Sequence, residues 1–303
     1  AYIGGVASTS CTLSAMAYDM PASGTMAHSW VQMFDDEYTA FTTYCRLYPE
    51  NACLLIDTYN VLHSGLPNAI RAFKECGITN CSVRIDSGDI AYLTKKVREK
   101  LDSEGMEHCK IVISNSLDEK IIVDILRQGA QIDAFGVGER LITAKSDPVF
   151  GGVYKLSAVE DEEGFVIPKI KISENEGKIT NPHFKMLYRL FRKSDGRAIA
   201  DYITVHDEII DESKPIELFD PIYTWKRCIV TDYTAVPLLK PIFIGGEQVY
   251  ELPALHSIRE YCGAQIASLW EEVRRFENPH RYYVDLSQRL WDIKQELLRA
   301  KSN

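Results

Sequence analysis

The sequence predicts an α/β fold with a (β/α) core, followed by a β-rich part and a C-terminal helical segment. Four short apolar runs each end in a polar or glycine-rich turn, and the first three are followed by stretches of helical period. Strands that alternate with helices are typical of a parallel sheet or barrel. In such folds the functional side chains gather at the carboxyl ends of the strands. The four runs span residues 54–57, 83–88, 111–115 and 134–138.

The helices between these runs follow from spacing, caps and helix-ending residues. A single amphipathic helix is predicted by aromatic and apolar residues three or four positions apart, at Trp30, Phe34, Tyr38, Phe41 and Cys45. A second helix begins at Leu66 and Pro67, because proline is tolerated in a first turn, and ends at Gly77. A third ends before Gly105, and residues 116–119 have the capping-box pattern that starts a fourth.

The pattern changes after about residue 150. Residues 153–173 alternate in two runs around the polar turn at 161–164, which predicts a hairpin. Residues 188–191 and 202–205 predict two further strands. This middle part is therefore expected to form a β-rich subdomain.

From residue 255 to residue 300 the helical period returns, with one apolar stripe that begins at Ile258 and a second that includes Leu286 and Leu290. The sequence thus predicts a (β/α) barrel core that carries the site over residues 1–150, a β-rich portion over 151–250 and a helical segment over 251–303.

Composition excludes some classes of function. The net charge of -9 argues against nucleic-acid binding, which needs a basic face. Eight cysteines without a CxxC pair indicate reduced thiols, and no apolar run reaches the length of a membrane span, so we expect a cytoplasmic protein. The chain starts at Ala1, without an initiator Met, inside sequence that looks structured. We therefore expect it to be part of a longer protein.

Gly136, Val137 and Gly138 form a candidate phosphate site. They follow a predicted strand, and glycines let backbone N–H groups approach an anion. Late loops of barrels often bind phosphate. A plain tight turn is the alternative interpretation of the same residues.

Arg84, Asp86 and Ser87 place a cation, an anion and a hydroxyl at one strand end. The two-residue period of a strand sends Arg84 and Asp86 to the same face. The guanidinium could bind a carboxylate or phosphate, and the carboxylate could bind ribose hydroxyls or metal-bound pyrophosphate. The alternative is a buried structural ion pair.

His28 precedes the first predicted amphipathic helix. It is a candidate catalytic residue if Asp57 fixes its tautomer, although spacing alone does not establish that contact, and a residue that merely starts the helix is the alternative. The other histidines lack the spacing of metal ligands, so we predict no protein-built zinc site.

Taken together, these segments resemble the nicotinate phosphoribosyltransferase family, over essentially the whole chain and in the same order. The matching segments are 24–29 (GTMAHS), 55–59 (LIDTY), 84–88 (RIDSG), 113–115 (ISN), 135–138 (FGVG), 238–243 (LLKPIF), 252–253 (LP) and 278–282 (NPHRY).

The resemblance implies an irregular barrel of the type II phosphoribosyltransferase kind. It implies a reaction of nicotinate with 5-phosphoribosyl pyrophosphate, with Mg²⁺ on the pyrophosphate and coupling to ATP through phosphorylation of His28. Asp57 would support His28, Asp86 would contact ribose or pyrophosphate, and Arg84 would contact the base or a phosphate. The remaining implied substrate-binding residues are Thr25, Ser29, Ser87, Ser114, Asn115, Gly136, Val137 and Gly138.

The family also forms homodimers and carries a lobe before the point that matches Ala1, which another segment would have to supply here. A nicotinamide-using relative, or a fragment that binds phosphorylated ligands without turnover, is the alternative that this resemblance leaves open. Another phosphate-binding barrel, such as an aldolase or isomerase, would need a Schiff-base lysine or an acid/base pair at the strand ends, whereas Lys110 begins its predicted strand.

Overall fold

The computed structural model describes residues 1–301 and divides into two compact units. The first consists of residues 1–2 and 6–150, and the second of residues 3–5 and of the chain from residue 151 onward.

The first unit is built on a parallel sheet of four strands in the order β1-β2-β3-β4. Each strand overlaps one of the predicted apolar runs, so the prediction of parallel (β/α) units is confirmed, although the strand bounds differ by a few residues. The strands are β1 (Ala52–Leu55), β2 (Cys81–Ile85), β3 (Lys110–Ser114) and β4 (Ala134–Gly136).

Seven helices precede, connect or follow these strands in the first unit as described. They are α1 (Thr12–Tyr18), α2 (His28–Gln32), α3 (Glu37–Leu47), α4 (Leu66–Cys76), α5 (Ile90–Ser103), α6 (Glu119–Arg127) and α7 (Glu139–Ile142). A π-helical turn, Val61–Gly65, leads directly into α4, and the Asn60 side chain accepts hydrogen bonds from its first N–H groups.

The core of the first unit lies between the sheet and α3 to α6. Every residue of β1 is buried, as expected for a parallel strand covered on both faces. Phe41 of α3, Phe73 of α4 and Leu101 of α5 are buried against the strands in one continuous cluster. Rigid strands therefore carry the polar residues that follow them.

Two predicted helix boundaries are wrong. The stripe from Trp30 to Cys45 is divided between α2 and α3, because the Asp36 carboxylate accepts a hydrogen bond from Thr39 N–H (2.8 Å) and starts a new helix. The cap of α6 is Asp118 and not Ser116, since Asp118 accepts from the N–H of Ile121 at 2.9 Å.

Gly65 is the tightest backbone contact near the strand ends. A Cβ atom there would lie 1.9 Å from the carbonyl oxygen of Ile56, the residue before Asp57. We expect Gly65→Ala to lower the free energy of unfolding by about 3 kcal/mol, measured by urea denaturation, because backbone must move. Gly24→Ala is the control, since its Cβ would meet no atom within 4 Å. Equal stability of the two variants would contradict this packing.

The second unit is rich in strands. Its main sheet has the order β11-β7-β8-β14, and a predicted hairpin is present as β5 and β6. Its strands are β5 (Ala158–Glu160), β6 (Val166–Pro168), β7 (Lys185–Arg192), β8 (Ala198–Val205), β9 (Ile216–Phe219), β10 (Arg227–Val230), β11 (Tyr233–Pro237), β12 (Phe243–Ile244), β13 (Glu247–Gln248) and β14 (Val284–Leu286). Its helices are α8 (Leu255–Ser268) and α9 (Gln288–Lys301), with 3-10 turns at Glu176–Lys178 and Glu271–Arg274.

The prediction that the second C-terminal apolar stripe is helical from Leu286 is wrong at its start, because residues 284–286 form β14, parallel to β8. Leu286 of β14 and Leu290 of α9 share a small buried core with Val205, so their spacing of four imitates a helix. Ser287 separates the two elements, and its hydroxyl accepts a hydrogen bond from Leu290 N–H (3.2 Å).

Asp285 of β14 is a buried carboxylic acid. Burial, together with the nearby Asp220 carboxylate, raises the pKa of Asp285 from 3.8 to about 6, against the opposing effect of Arg281. Between those values the folded chain binds a proton that the unfolded chain does not, so this group lowers stability as pH rises from about 4 to 6. Above about pH 6 the ionised Asp285 carboxylate lowers the free energy of unfolding by its full amount.

We therefore expect Asp285→Asn to raise the free energy of unfolding at neutral pH by about 1 to 3 kcal/mol. The gain should disappear near pH 4, where the wild-type group is protonated in the folded state. Denaturant unfolding at a series of pH values measures both. Asp292→Asn, on α9, is the control, and a gain that does not depend on pH would contradict the argument.

The α/β class with a parallel sheet and a strand-rich second part is thus confirmed, while closure of the sheet into a barrel stays a prediction. Within residues 1–301, none of the helices combines the length and the apolar character that a bilayer span requires.

Candidate active site

Polar residues from three strand ends and a glycine from the fourth lie at one edge of the parallel sheet. Asp57 follows β1, Asp86 follows β2, Ser114 ends β3 and Gly136 ends β4. Because the strands are parallel and in register, their carboxyl ends meet at this edge.

Asp57 is the buried centre of the group, with a side chain only 2 % exposed. Its Oδ2 atom accepts hydrogen bonds from the backbone N–H of Asp86 (3.0 Å) and from the hydroxyl of Ser87 (2.6 Å). Its Oδ1 atom is buried without a hydrogen-bond partner among the described residues. Asp57 therefore ties β1 to the loop after β2 and keeps one oxygen available.

His28 is the first residue of α2, and its ring nitrogens face different neighbours. Nδ1 lies 3.1 Å from the hydroxyl of Thr58, and Nε2 lies 3.9 Å from Asp57 Oδ1 and 3.9 Å from Asp86 Oδ2. The side chain is 39 % exposed. Nε2 of His28 thus lies near two carboxylates, those of Asp57 and Asp86, at distances longer than a hydrogen bond, and the role of Asp57 in supporting His28 stays a prediction.

Arg84 is held by protein groups on several sides. Its Nε donates to the hydroxyl of Ser114 (2.8 Å), and Nη1 donates to Thr25 Oγ1 (2.6 Å) and to the carbonyl of Met26 (3.2 Å). Its Nη2 lies 3.4 Å from Asp86 Oδ1, which also accepts a hydrogen bond from Ser114. Arg84 therefore fixes the segment before His28 to the sheet edge and keeps 22 % of its side chain exposed.

The loop over residues 136–138 is exposed beside Ser114. Gly136 pairs with Ser114 in the sheet, and a Cβ on Gly136 would lie 3.3 Å from the Ser114 Cβ. A Cβ on Gly138 would meet no atom within 4 Å. The backbone of this loop is therefore accessible to a ligand, with open space in front of Gly138.

The neighbouring loop after β3 is linked to it by an ion pair. Arg140 of α7 donates to Asp118, the cap of α6. The N–H of Ile121 and the Arg140 guanidinium lower the pKa of Asp118, so this carboxylate stays ionised and paired at neutral pH. Asn115, in the same loop, has a φ of 144°, in the region that favours glycine.

Hydrogen bonds do not connect all of the site residues that the sequence predicts. Ser29 and Asn115 are exposed, and no hydrogen bond connects their side chains to the cluster within residues 1–301. Val137 lies between the two glycines and is partly buried. Thr58 was missed by the sequence argument, because a threonine after an aspartate carries no pattern that distinguishes it.

A cavity of about 320 Å³ adjoins the cluster. Asp57, Ser87 and the π-helical turn form its walls, and its lining residues are Asp57, Tyr59, Asn60, Val61, Leu62, His63, Ser87, Gly88 and Leu93. It offers room for a ligand group next to the buried carboxylate.

Two family models match the chain. One, the nicotinate phosphoribosyltransferase (NAPRTase) family, matches residues 3–189, and the other, the nicotinate phosphoribosyltransferase C-terminal domain, matches residues 184–294.

Similar proteins carry the same description. The chain is 42% identical over 298 residues to nicotinate phosphoribosyltransferase of Bacillus subtilis, and 32% identical over 352 residues to that of Dictyostelium discoideum. Both alignments cover 98% of this chain, which spans only 60% and 59% of the length of these relatives. The crystal structure of human nicotinic acid phosphoribosyltransferase is similar with a TM-score of 0.75 at 26% identity, over 98% of this chain and 66% of that one.

Proposed function

The chain belongs to the nicotinate phosphoribosyltransferase family, and from this premise we propose that it carries the phosphoribosyl-transfer site of a nicotinate phosphoribosyltransferase of NAD biosynthesis. The observation that carries the proposal is the meeting of His28, Asp57, Arg84 and Asp86 at the edge of the sheet that also carries the open loop 136–138.

The proposed reaction exchanges one bond for another at the anomeric carbon. The bond from ribose C1 to the pyrophosphate oxygen breaks, and pyrophosphate leaves with the bonding electrons. The lone pair of the pyridine nitrogen of nicotinate then forms the new bond to C1. Positive charge develops on the ribosyl ring while the bond breaks, so fixed anions near the ribose stabilise the transition state.

Asp86 is proposed as that anion. It is partly exposed, and Arg84 and Ser114 fix its orientation. Ribose hydroxyls can donate hydrogen bonds to its free oxygen. Ser87 is held by Asp57 and completes the same edge.

The 5-phosphate is proposed to bind the backbone of Gly136, Val137 and Gly138, where side chains leave space. Ser114 and Asn115 would border it. A loop of accessible N–H groups is a suitable site for a phosphate dianion. Arg84, Thr25 and Ser29 would contact the base or a phosphate from the other side, through the part of Arg84 that stays exposed.

Whether this site can bind Mg²⁺ depends on the donor groups that its residues offer. Within residues 1–301, no group of three or more His, Cys, Asp or Glu residues is arranged to hold a metal ion. Magnesium bound with pyrophosphate keeps several waters and needs only one or two carboxylates, which Asp86 and the unpartnered Oδ1 of Asp57 can supply. The residues therefore fit the ion. When bound, Mg²⁺ would neutralise charge on the leaving pyrophosphate.

ATP coupling is proposed to act through His28. The ring nitrogen that carries a lone pair would attack the γ-phosphorus of ATP, the bond from that phosphorus to the bridging oxygen would break, and ADP would leave with the bonding electrons. The ring would then carry a positive charge shared with its N–H nitrogen. The carboxylates of Asp57 and Asp86 near the ring would stabilise that charge. A homodimer, with any further segment needed for turnover, is part of the same proposal.

The alternatives differ in their support. Both family models describe nicotinate phosphoribosyltransferases, and so do the names of the three similar proteins reported above. A nicotinamide-using enzyme is therefore not favoured. A fragment that binds phosphorylated ligands without turnover is distinguished by experiment.

The test is formation of nicotinate mononucleotide from labelled nicotinate, phosphoribosyl pyrophosphate, Mg²⁺ and ATP, followed by chromatography. We expect product with nicotinate and not with nicotinamide, and loss of product in Asp86→Asn but not in Asp124→Asn, a control on the exposed face of α6. Calorimetry with nicotinate mononucleotide separates the remaining outcomes. Binding without turnover would assign a binding fragment, and neither binding nor turnover in a folded sample would overturn the proposal.

A further inference from the structure

We infer that Thr58 is a positioning residue that sets the tautomer and orientation of the His28 ring. Only the expected effect on phosphorylation of His28 rests on the proposed function. The hydrogen bond itself is a property of the fold, and it can be tested without any substrate.

The geometry places three groups around the imidazole. The Thr58 hydroxyl lies 3.1 Å from Nδ1, on one side of the ring. The carboxylates of Asp57 and Asp86 each lie 3.9 Å from Nε2, on the other side. Within residues 1–301, Thr58 is the residue whose side chain forms a hydrogen bond with the His28 ring. Thr58 follows Asp57 directly after β1, so the rigid sheet fixes both partners.

Two arrangements of the ring proton differ in electrostatic energy. An ionised carboxylate only accepts hydrogen bonds, so the nitrogen that faces Asp57 and Asp86 is favoured when it carries hydrogen. In that tautomer Nδ1 has a lone pair and accepts from the Thr58 hydroxyl. The opposite tautomer would direct the lone pair of Nε2 at two carboxylates 3.9 Å away, which is electrostatically unfavourable.

Thr58 and the carboxylates thus act at opposite nitrogens and select the same state. The His28 side chain is 39 % exposed, so packing alone does not prevent the ring from rotating. Without the hydroxyl, the ring has no donor for Nδ1 and would sample other orientations and tautomers. For histidines that bind metal ions, loss of the partner that orients the ring typically costs about 10- to 100-fold in affinity or activity, and we take this as the scale for Thr58.

The experiment compares Thr58→Val, which keeps the shape and removes the hydroxyl, with Thr58→Ser, which keeps the hydroxyl. The ¹⁵N shifts of His28, assigned by their loss in His28→Ala, report the tautomer in the absence of substrate. We expect the Nε2–H tautomer in the wild type and in Thr58→Ser, and a mixture in Thr58→Val. Thr43→Val, on the exposed face of α3, is the control for a threonine hydroxyl outside the site.

Phosphorylation from γ-labelled ATP is the second readout. The rate should fall about 10- to 100-fold in Thr58→Val and return to within about threefold in Thr58→Ser. A wild-type ring in the Nδ1–H tautomer would overturn the inference, even if Thr58→Val failed to fold. So would a Thr58→Val protein with the wild-type tautomer and rate. A changed tautomer with no label in any variant would support the role of Thr58 and contradict the proposed ATP coupling.

Discussion

Asp57→Asn is expected to lower both phosphorylation of His28 and formation of nicotinate mononucleotide by about 10³-fold. This is less than the loss of about 10⁴-fold known for replacing a carboxylate that is hydrogen-bonded to a catalytic histidine, because Asp57 Oδ1 lies 3.9 Å from the ring. The fold should persist, because the amide oxygen can still accept from Asp86 N–H and Ser87 Oγ. The substitution instead changes the chemistry of the other side-chain position, Oδ1 of Asp57. An NH₂ group replaces the Oδ1 that faces His28 Nε2, so two donors meet and the charged ring loses its buried counterion.

The measurement is the steady-state rate together with the thermal midpoint of unfolding. The effect should appear in kcat more than in KM, since the carboxylate stabilises a state reached during the reaction. Asp124→Asn controls for removal of a carboxylate elsewhere in the first unit. A rate within about threefold of the wild type would show that Asp57 only holds the loop after β2.

A double variant separates chemistry from structure. If Asp57 acts through His28, then Asp57→Asn should add little to His28→Ala, because residues that act as a unit are strongly non-additive. If Asp57 acts mainly by holding the backbone of Asp86, the two losses should multiply. The geometry favours the first result, since Oδ1 has no hydrogen-bond partner within residues 1–301 and lies 3.9 Å from His28 Nε2.

The sequence predicts the positions of the four parallel strands because each strand is a short buried run with a clear polar end. In β1 all four residues are buried, and Asp57 marks the point where the run stops. A polar residue at the end of a parallel strand can be assigned to the carboxyl edge of the sheet without coordinates. This is why Asp57, Arg84, Asp86, Ser114 and Gly136 could be grouped in advance.

Contacts between side chains could not be predicted in the same way. The two-residue period of a strand predicts that Arg84 and Asp86 share a face. It does not predict that Thr25, Met26 and Ser114 accept the hydrogen bonds that Arg84 donates. The hydroxyl of Thr58 reaches His28 across thirty positions of sequence, which no local pattern encodes.

Errors in the secondary structure have a common cause. Apolar spacing reports which residues reach a core, and not whether one element or two bring them there. Leu286 and Leu290 reach the same core from β14 and α9, and Trp30 and Cys45 reach one from α2 and α3. In both cases the short polar caps, Ser287 and Asp36, were the local signal for the break.

Gly138→Val is expected to weaken binding of nicotinate mononucleotide by about 100-fold or more, since a phosphate that loses two charge-assisted N–H contacts loses about 1.5 to 3 kcal/mol for each. The side chain would occupy the open space in front of the loop, where a Cβ now meets no atom within 4 Å. Thermal unfolding of the variant checks that the fold persists. Titration calorimetry measures the affinity, and Gly152→Val, at another open glycine, is the control.

The decisive comparison uses nicotinate riboside, which lacks the 5-phosphate. The phosphate's contribution to affinity is the ratio of the dissociation constants of riboside and mononucleotide, and in the wild type this ratio should be large. In Gly138→Val the mononucleotide should weaken and the riboside should not, so the ratio should approach one. Equal weakening of both ligands would mean that the valine displaces the sugar or the base, and an unchanged ratio would mean that the phosphate binds elsewhere. Only a collapse of the ratio assigns the phosphate to the loop 136–138, because the cycle cancels every effect of the valine that both ligands share.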